Sequence, residues 1–247
     1  MTRHVDLISD GELESSSVVA NCAMNRERGL TGSNGYGREL GFDVLDELRL
    51  RLRDDHRPVR WLDLCSGSGR ALLEAAQLLE QEGLTNRAEI FGVDLVDYFV
   101  PGLPVPPVRL ATASVTIWQP PADVAFDLIT CVHGLHYVGD KLSVLTRIAA
   151  WLTDTGVFAA SFDPTSIRLQ EGSVAGRPLT TALRKAGFDV DLRARRIQRR
   201  GRAEVTLPFT YLGSDDTAGP NYTGQPAVHS YYSRPTPSRV RESRSRS

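Results

Sequence analysis

The spacing of apolar positions changes period along the chain, and each change marks an element. Phe42, Leu45, Leu48 and Leu52 recur at intervals of three, three and four with charges between them, which predicts one face of an amphipathic helix. The short run Val59–Leu64 is β-favouring, and Cys65-Ser-Gly67-Ser-Gly69 follows it directly. Residues 70–81 then carry a helical stripe of Leu72, Leu73, Ala76 and Leu79. Strand, glycine turn and helix open a βαβ unit. Residues 88–93, 108–113, 126–131 and 157–162 predict four more buried strands, with a helix over 140–152 between the last two. Strands alternating with helices imply a doubly wound, mainly parallel sheet covered on both faces.

Prolines and glycines punctuate the rest. Residues 101–107 hold four prolines, too many for an ordinary crossover helix. A short helix is predicted over 178–186, with a proline near its first turn and Gly187 just past its end. Two β-like runs, 189–197 and 204–210, joined through 198–202, predict an antiparallel edge hairpin. At the start, polar residues and the four glycines of 29–37 argue for an arm or lid over residues 1–40 rather than a long helix. The stretch 211–232, with four tyrosines, suggests a folded flap, and residues 41–232 then form the main domain. Residues 233–247, rich in Pro, Ser and Arg, predict a disordered tail.

Composition narrows the function classes. The chain has 247 residues, 41% hydrophobic and 24% charged, ordinary for a globular protein. Its 29 basic and 30 acidic residues leave a formal charge of −1, so no global field draws it to nucleic acid or an anionic membrane. Neither a membrane-spanning run nor the apolar core of a signal peptide is visible, and the expectation is a cytoplasmic protein. Cys22, Cys65 and Cys131 lie too far apart for a disulfide framework or a zinc motif, so reduced thiols and no metal are expected.

The glycine turn carries the chemistry. Glycines let the backbone turn sharply beside a ligand, and the following helix N-terminus offers free N–H groups with a positive partial charge. Asp94 ends the second predicted strand, 25 residues beyond Gly69, where a carboxylate can accept both hydroxyls of a ribose. A nicotinamide site would use G-x-G-x-x-G, but its third glycine position is Leu72 here, and Asp63 stands four residues before Gly67. This acid-plus-G-x-G pattern resembles motif I of the class I S-adenosylmethionine-dependent methyltransferases. The resemblance covers roughly residues 40–212, taking in the segment Phe126-Asp-Leu-Ile-Thr-Cys-Val-His-Gly-Leu-His-Tyr137 as the fourth strand and its exit. It implies a Rossmann-like seven-stranded fold, S-adenosylmethionine as cofactor, and cofactor contacts from Asp63, Cys65, Gly67, Gly69, Asp94, Leu95, Ser114, Val115 and Cys131. The family often has Asp where Ser114 stands, so the resemblance leaves the adenine contact to a hydroxyl or to the backbone alone.

Ligands of doubly wound sheets lie beyond the carboxyl ends of the strands, which puts His133, His136 and Tyr137 near the reaction. His133 is the candidate base or substrate contact; His136 is a second candidate, with helix packing as its alternative role. Cys131, ending a buried strand, also reads as a small apolar filler. Before the first strand, Tyr36 and Arg38 are candidates for an aromatic wall and a carboxylate partner at the substrate. Little chain remains for a macromolecule-recognition module, so the leading expectation is methylation of a small molecule in bacterial secondary metabolism. The Asp/Asn-Pro-Pro-aromatic motif of adenine and glutamine methylation is replaced by Cys-Val-His-Gly, and neither a Pro-Cys nucleophile nor the paired glutamates of arginine methylation are seen. Two alternatives stand beside it. One is an RNA methyltransferase using Arg193, Arg195, Arg196, Arg199, Arg200 and Arg202 together with the arginines of the tail. The other is a non-catalytic protein built on the cofactor fold.

Overall fold

The structure is a computed structural model that describes residues 5–20, 27–54, 57–100 and 107–235. The arm opens with two short helices, α1 (Asp10–Glu14) and α2 (Ser17–Ala20), and later adds α3 (Tyr36–Leu40). The amphipathic helix α4 (Val44–Asp54) follows and turns Leu45, Leu48 and Leu52 inward. Next comes the expected unit: β1 (Val59–Leu64), α5 (Arg70–Gln81) and β2 (Ala88–Asp94). β3 (Val108–Thr112) and β4 (Phe126–Cys131) pair on either side of that unit. α6 (Lys141–Trp151) leads into β5 (Leu152–Ser161), β6 (Ile167–Leu169), α7 (Gly176–Lys185), β7 (Phe188–Asp191) and β8 (Arg196–Arg200).

Seven strands form one sheet in the order β3-β2-β1-β4-β5-β8-β7. The first five pair in parallel, and β8 joins antiparallel to both β5 and β7. Because strand side chains alternate in direction, Trp61, Ile90 and Leu128 pack under α4 and α5 on one face, while Leu62, Ile129 and Phe158 pack under α6 and α7 on the other. No helix lies between β2 and β3 among the described residues, and the prolines 101–106 fall outside them.

Three expectations need correction. The edge hairpin is β7–β8, earlier than the predicted 189–197 and 204–210 pair. Its turn is made by Asp191, whose Oδ1 accepts from the backbone N–H groups of Arg193 and Ala194, and Arg195 adopts φ 52° to close it. Second, β5 begins at Leu152 rather than residue 157, and Leu152 pairs with Phe126. Third, the stretch after residue 203 enters a separate sheet: β9 (Thr210–Asp215) and β10 (His229–Ser233) pair antiparallel, and β6 pairs parallel with β10, in the order β6-β10-β9. Ser233 closes β10 opposite Thr210, so the predicted tail begins inside a strand, and its residues 236–247 lie outside the described residues.

The small sheet is tied to the exit of β4. Val228 N–H donates to the His136 carbonyl at 2.9 Å, and the Tyr232 hydroxyl donates to Asp140 at 3.0 Å and accepts from Leu142 N–H at 3.1 Å. Lys141, almost fully buried, donates to the carbonyls of Val138 and Val228 and to Ser230 Oγ at 2.7–3.0 Å. Burial lowers its ammonium pKa to about 7. The arm docks on the same sheet: Ile8 and Ser214 exchange backbone hydrogen bonds of 2.9 Å, and the Tyr211 hydroxyl donates to Asp10 Oδ1 at 2.7 Å.

Candidate active site

The loop after β1 turns on three consecutive odd positions with left-handed backbone. Cys65, Gly67 and Gly69 have φ of 57°, 59° and 75°, a conformation glycine adopts without the steric cost a Cβ brings. Gly69 is also the N-cap of α5, so the loop delivers the helix N-terminus toward the sheet's carboxyl edge. Asp94 fixes this loop: its Oδ2 accepts from Gly67 N–H at 2.8 Å and its Oδ1 from Val96 N–H at 3.2 Å.

Asp63 lies behind the loop and is fully buried. It accepts from the Tyr36 hydroxyl at 2.7 Å and from Thr130 Oγ1 at 2.5 Å, and Trp61 Nε1 donates in turn to Thr130 at 2.8 Å. Burial pushes its carboxyl up to about 7, against the pull of the two donated bonds. The same enclosure raises the Tyr36 phenol well above its ordinary value. These residues form a buried network joining α3, β1 and β4.

A cavity of about 670 Å³, counting its open mouth, lies at the carboxyl ends of β2, β3 and β4. Among the sequence-predicted site residues, Cys65, Asp94, Leu95, Ser114, Val115, His133 and Tyr137 meet on its walls. Asp63, Gly67, Gly69, Cys131, His136, Tyr36 and Arg38 do not line it. Cys131 is fully buried beneath Cys65, and its thiol, with burial, raises the pKa of the Cys65 thiol, which therefore is no thiolate. Arg38 turns to the Ser33 carbonyl at 2.8 Å.

His133 takes φ 58° at the end of β4, an uncommon state for a buried side chain with a Cβ. The next residue explains the tight path: a Cβ at Gly134 would collide with Cys65. His133 Nε2 stands 3.0 Å from Glu39 Oε2, out of line for a hydrogen bond but at ion-pair distance. The imidazole beside it lowers the Glu39 carboxyl pKa, while burial acts the other way. His136 packs 5.4 Å from His133, centroid to centroid, and Tyr222 stands edge-on to it at 5.5 Å. Burial drives the His136 imidazole down to about 3, so it stays neutral.

Sequence reasoning missed the part of the wall that the arm supplies. Asp10, Leu13, Glu14 and Val19 all line the cavity. Their signal was present as a capping box, in which Ser9 and Glu12 bond each other's backbone N–H groups and start α1. Glu14 Oε1 accepts from Ser114 Oγ and, at 3.4 Å, from Thr116 Oγ1. Glu39 had no comparable signal.

The walls suit a nucleoside-bearing cofactor. Apolar side chains of Leu13, Leu95, Val115 and Val132 offer surfaces for a flat base, and Asp94 stands among them as a buried acceptor. A carboxylate offers about four acceptor positions, enough to hold the glycine loop and take ribose hydroxyls. Among the described residues no cluster of His, Cys, Asp and Glu is arranged to hold a metal ion.

A family profile described as a methyltransferase domain matches residues 37–192, and the chain belongs to that family. Its strand order is the one expected of the class I S-adenosylmethionine-dependent methyltransferase fold. A search of curated proteins finds no match. Among solved structures, the [4+2]-cyclase SpnF is 18% identical, with a TM-score of 0.46 and 75% of each chain covered. The plantazolicin methyltransferase BpumL, in complex with a pentazolic desmethylPZN analog and SAH, is 13% identical, with a TM-score of 0.45, 75% of this chain and 63% of that one. The amino pentose methyltransferase CalS10 from Micromonospora echinaspora, involved in calicheamicin biosynthesis, is 20% identical, with a TM-score of 0.38, 64% of this chain and 58% of that one. The chain spans 44% of BpumL in its monoazolic complex and 28% of the citrinin polyketide synthase CMeT domain.

Proposed function

We propose that the protein methylates a small molecule at oxygen or nitrogen, as a tailoring step in natural-product assembly, with His133 taking the acceptor's proton. The observation that carries this reading is the cavity wall on which Asp94, Leu95, Ser114 and Val115 meet His133 and Tyr137. Bound S-adenosylmethionine supplies an electrophilic methyl group on a sulfonium. The chain's own residues do the rest: Asp94 holds ribose hydroxyls, the loop of Gly67 and Gly69 sets where the α5 N-terminus stands, and the apolar walls leave little polar surface to hold water beside the reacting groups. Alignment of acceptor and methyl group accounts for most of the acceleration. His133 adds proton removal, and the carboxylate of Glu39 stabilises the imidazolium that results.

The arginine distribution supports a small acceptor over RNA. Arg196 donates to the carbonyls of Arg38 and Glu39, Arg199 to those of Ala186 and Gly201, and Arg195 pairs with Asp163 at 2.7 Å. Three of the six arginines named for RNA contact are thus committed to protein partners. The test is calorimetry followed by turnover. S-adenosylhomocysteine is expected to bind at one site per chain, and isotope-labelled methyl donor to label a small metabolite in an extract of the producing cell. Binding of a nicotinamide dinucleotide in its place, or labelling confined to RNA, would overturn the reading.

A further inference from the structure

The cavity has three carboxylates on its walls, and they are not equivalent. Asp94 holds two backbone N–H groups of the glycine loop and the turn after β2. Asp10 accepts the Tyr211 hydroxyl, which ties α1 to the small sheet. Glu14 stands against the exit of β3, where Ser114 and Thr116 both direct hydroxyls at its Oε1. Leu95 and Val115, which directly follow Asp94 and Ser114 in the chain, line the same cavity with apolar surface suited to the faces of a planar ring, and the two strand exits are tied where Ala113 N–H donates to the Asp94 carbonyl at 2.8 Å. A nucleoside whose ribose hydroxyls meet Asp94 therefore has its base in a cavity that offers both apolar side chains and, at the exit of β3, a group that accepts hydrogen bonds.

We propose that Glu14, a residue of the N-terminal arm, accepts the exocyclic amino group of the cofactor's adenine, so that the arm completes the nucleoside site. This deepens the cofactor reading above and rests on it. Chemistry selects the base: a carboxylate accepts and cannot donate, so it favours an amino group and repels the carbonyl oxygen that hypoxanthine carries at the same position. Ser114 is too short to reach as far as an acidic side chain, and it instead orients Glu14 by donating to it. The arm is held in place for this task by contacts at and around α1. Leu13 is buried, Ile8 and Ser214 exchange backbone bonds, and the capping box fixes the first turn of α1.

The experiment compares S-adenosylhomocysteine with its inosine counterpart, S-inosylhomocysteine, by calorimetry on the full chain. The wild type is expected to prefer the adenine compound on the order of 10- to 100-fold, the range of one hydrogen bond to a charged group. Glu14→Gln, whose amide both donates and accepts, is expected to bind the two compounds within a few-fold of each other. Glu14→Ala is expected to weaken the adenine compound while the inosine compound, relieved of the repelling carboxylate, binds at least as well as to the wild type, and thermal melts of both variants verify that α1 and its contacts still fold. A wild type that binds both compounds equally, or variants that keep the wild-type preference, would overturn the proposal and leave the cofactor reading intact. Failure of the wild type to bind S-adenosylhomocysteine would overturn that reading itself, and this proposal with it.

Discussion

His133 combines two features that packing alone does not call for: a left-handed backbone in a buried residue and a carboxylate 3.0 Å from its ring. Such backbone strain costs on the order of 1–3 kcal/mol and persists where the surroundings enforce it. If the strain serves catalysis, His133→Ala lowers the methyl-transfer rate by about 10² to 10⁴ while S-adenosylhomocysteine affinity stays near wild type. Single-turnover kinetics with any acceptor identified by labelling checks the first half, and calorimetry the second. A purely structural His133 would instead show up as a lower melting temperature with full turnover. The buried Asp63 network makes a different prediction. Tyr36→Phe keeps the ring against Trp61 but removes the hydroxyl that Asp63 accepts, leaving a buried acceptor short of a partner. The expected loss of stability is about 1–3 kcal/mol, read from urea unfolding, with cofactor affinity little changed because Tyr36 does not line the cavity.

Elements whose identity is written locally were legible in the sequence. β1, α5 and β4 have the predicted bounds, because short apolar β-favouring runs and a 3.6-residue apolar period, set apart by polar and turn-forming residues, leave few alternatives. The second sheet was not legible. β6 has three residues, and the alternation of Val205, Leu207 and Phe209 mimics a strand although these residues lie in irregular chain between β8 and β9. What decides there is a tertiary partner: β10 pairs with β6 and β9 and, together with Val228 just before it, supplies two of the oxygens around Lys141. The same partner governs truncation. A chain ended after Gln225 loses β10 and with it Tyr232, the Val228 carbonyl and Ser230, leaving the buried Lys141 under-solvated. That chain is expected to lose its cooperative melt in circular dichroism. A chain ended after Pro235 retains β10 whole and is expected to melt as the full chain does. In the cavity, the residues of the strand ends were foreseen because the sheet's carboxyl edge is a topological consequence of the fold. Glu14 and Glu39 were not, since both come from short arm helices whose placement depends on distant contacts.

Across the whole molecule, buried titratable groups pull the pH dependence of stability in opposite directions. Burial lowers His136 to about 3 and His229 to about 4, from an ordinary 6.5. Between those values and 6.5 the unfolded chain binds protons the folded chain refuses, so these two groups make stability fall as the solution is acidified. His229 is half-exposed, and solvent screening reduces its share. Asp63, raised by burial from 3.8 to about 7, acts in reverse: over that window the folded chain holds the extra proton, and stability falls as pH rises. His136 and Asp63 therefore nearly cancel, with His229 tilting the balance slightly toward acid loss. Above pH 7 the sign is set by Lys141, lowered by burial from 10.5 to about 7, for which the unfolded chain binds the extra proton and stability rises with pH. The expected wild-type profile is a shallow slope from pH 4 to 6.5 and a gain from 7 toward 10. Asp63→Asn removes the opposing carboxyl while preserving its volume, and its stability is expected to fall by about 1 to 2 kcal/mol per pH unit on acidification through the histidine window. Urea unfolding of both proteins at several pH values measures the difference. Parallel profiles for the two would mean that Asp63 is ionised in the folded state throughout, held so by the hydroxyls of Tyr36 and Thr130.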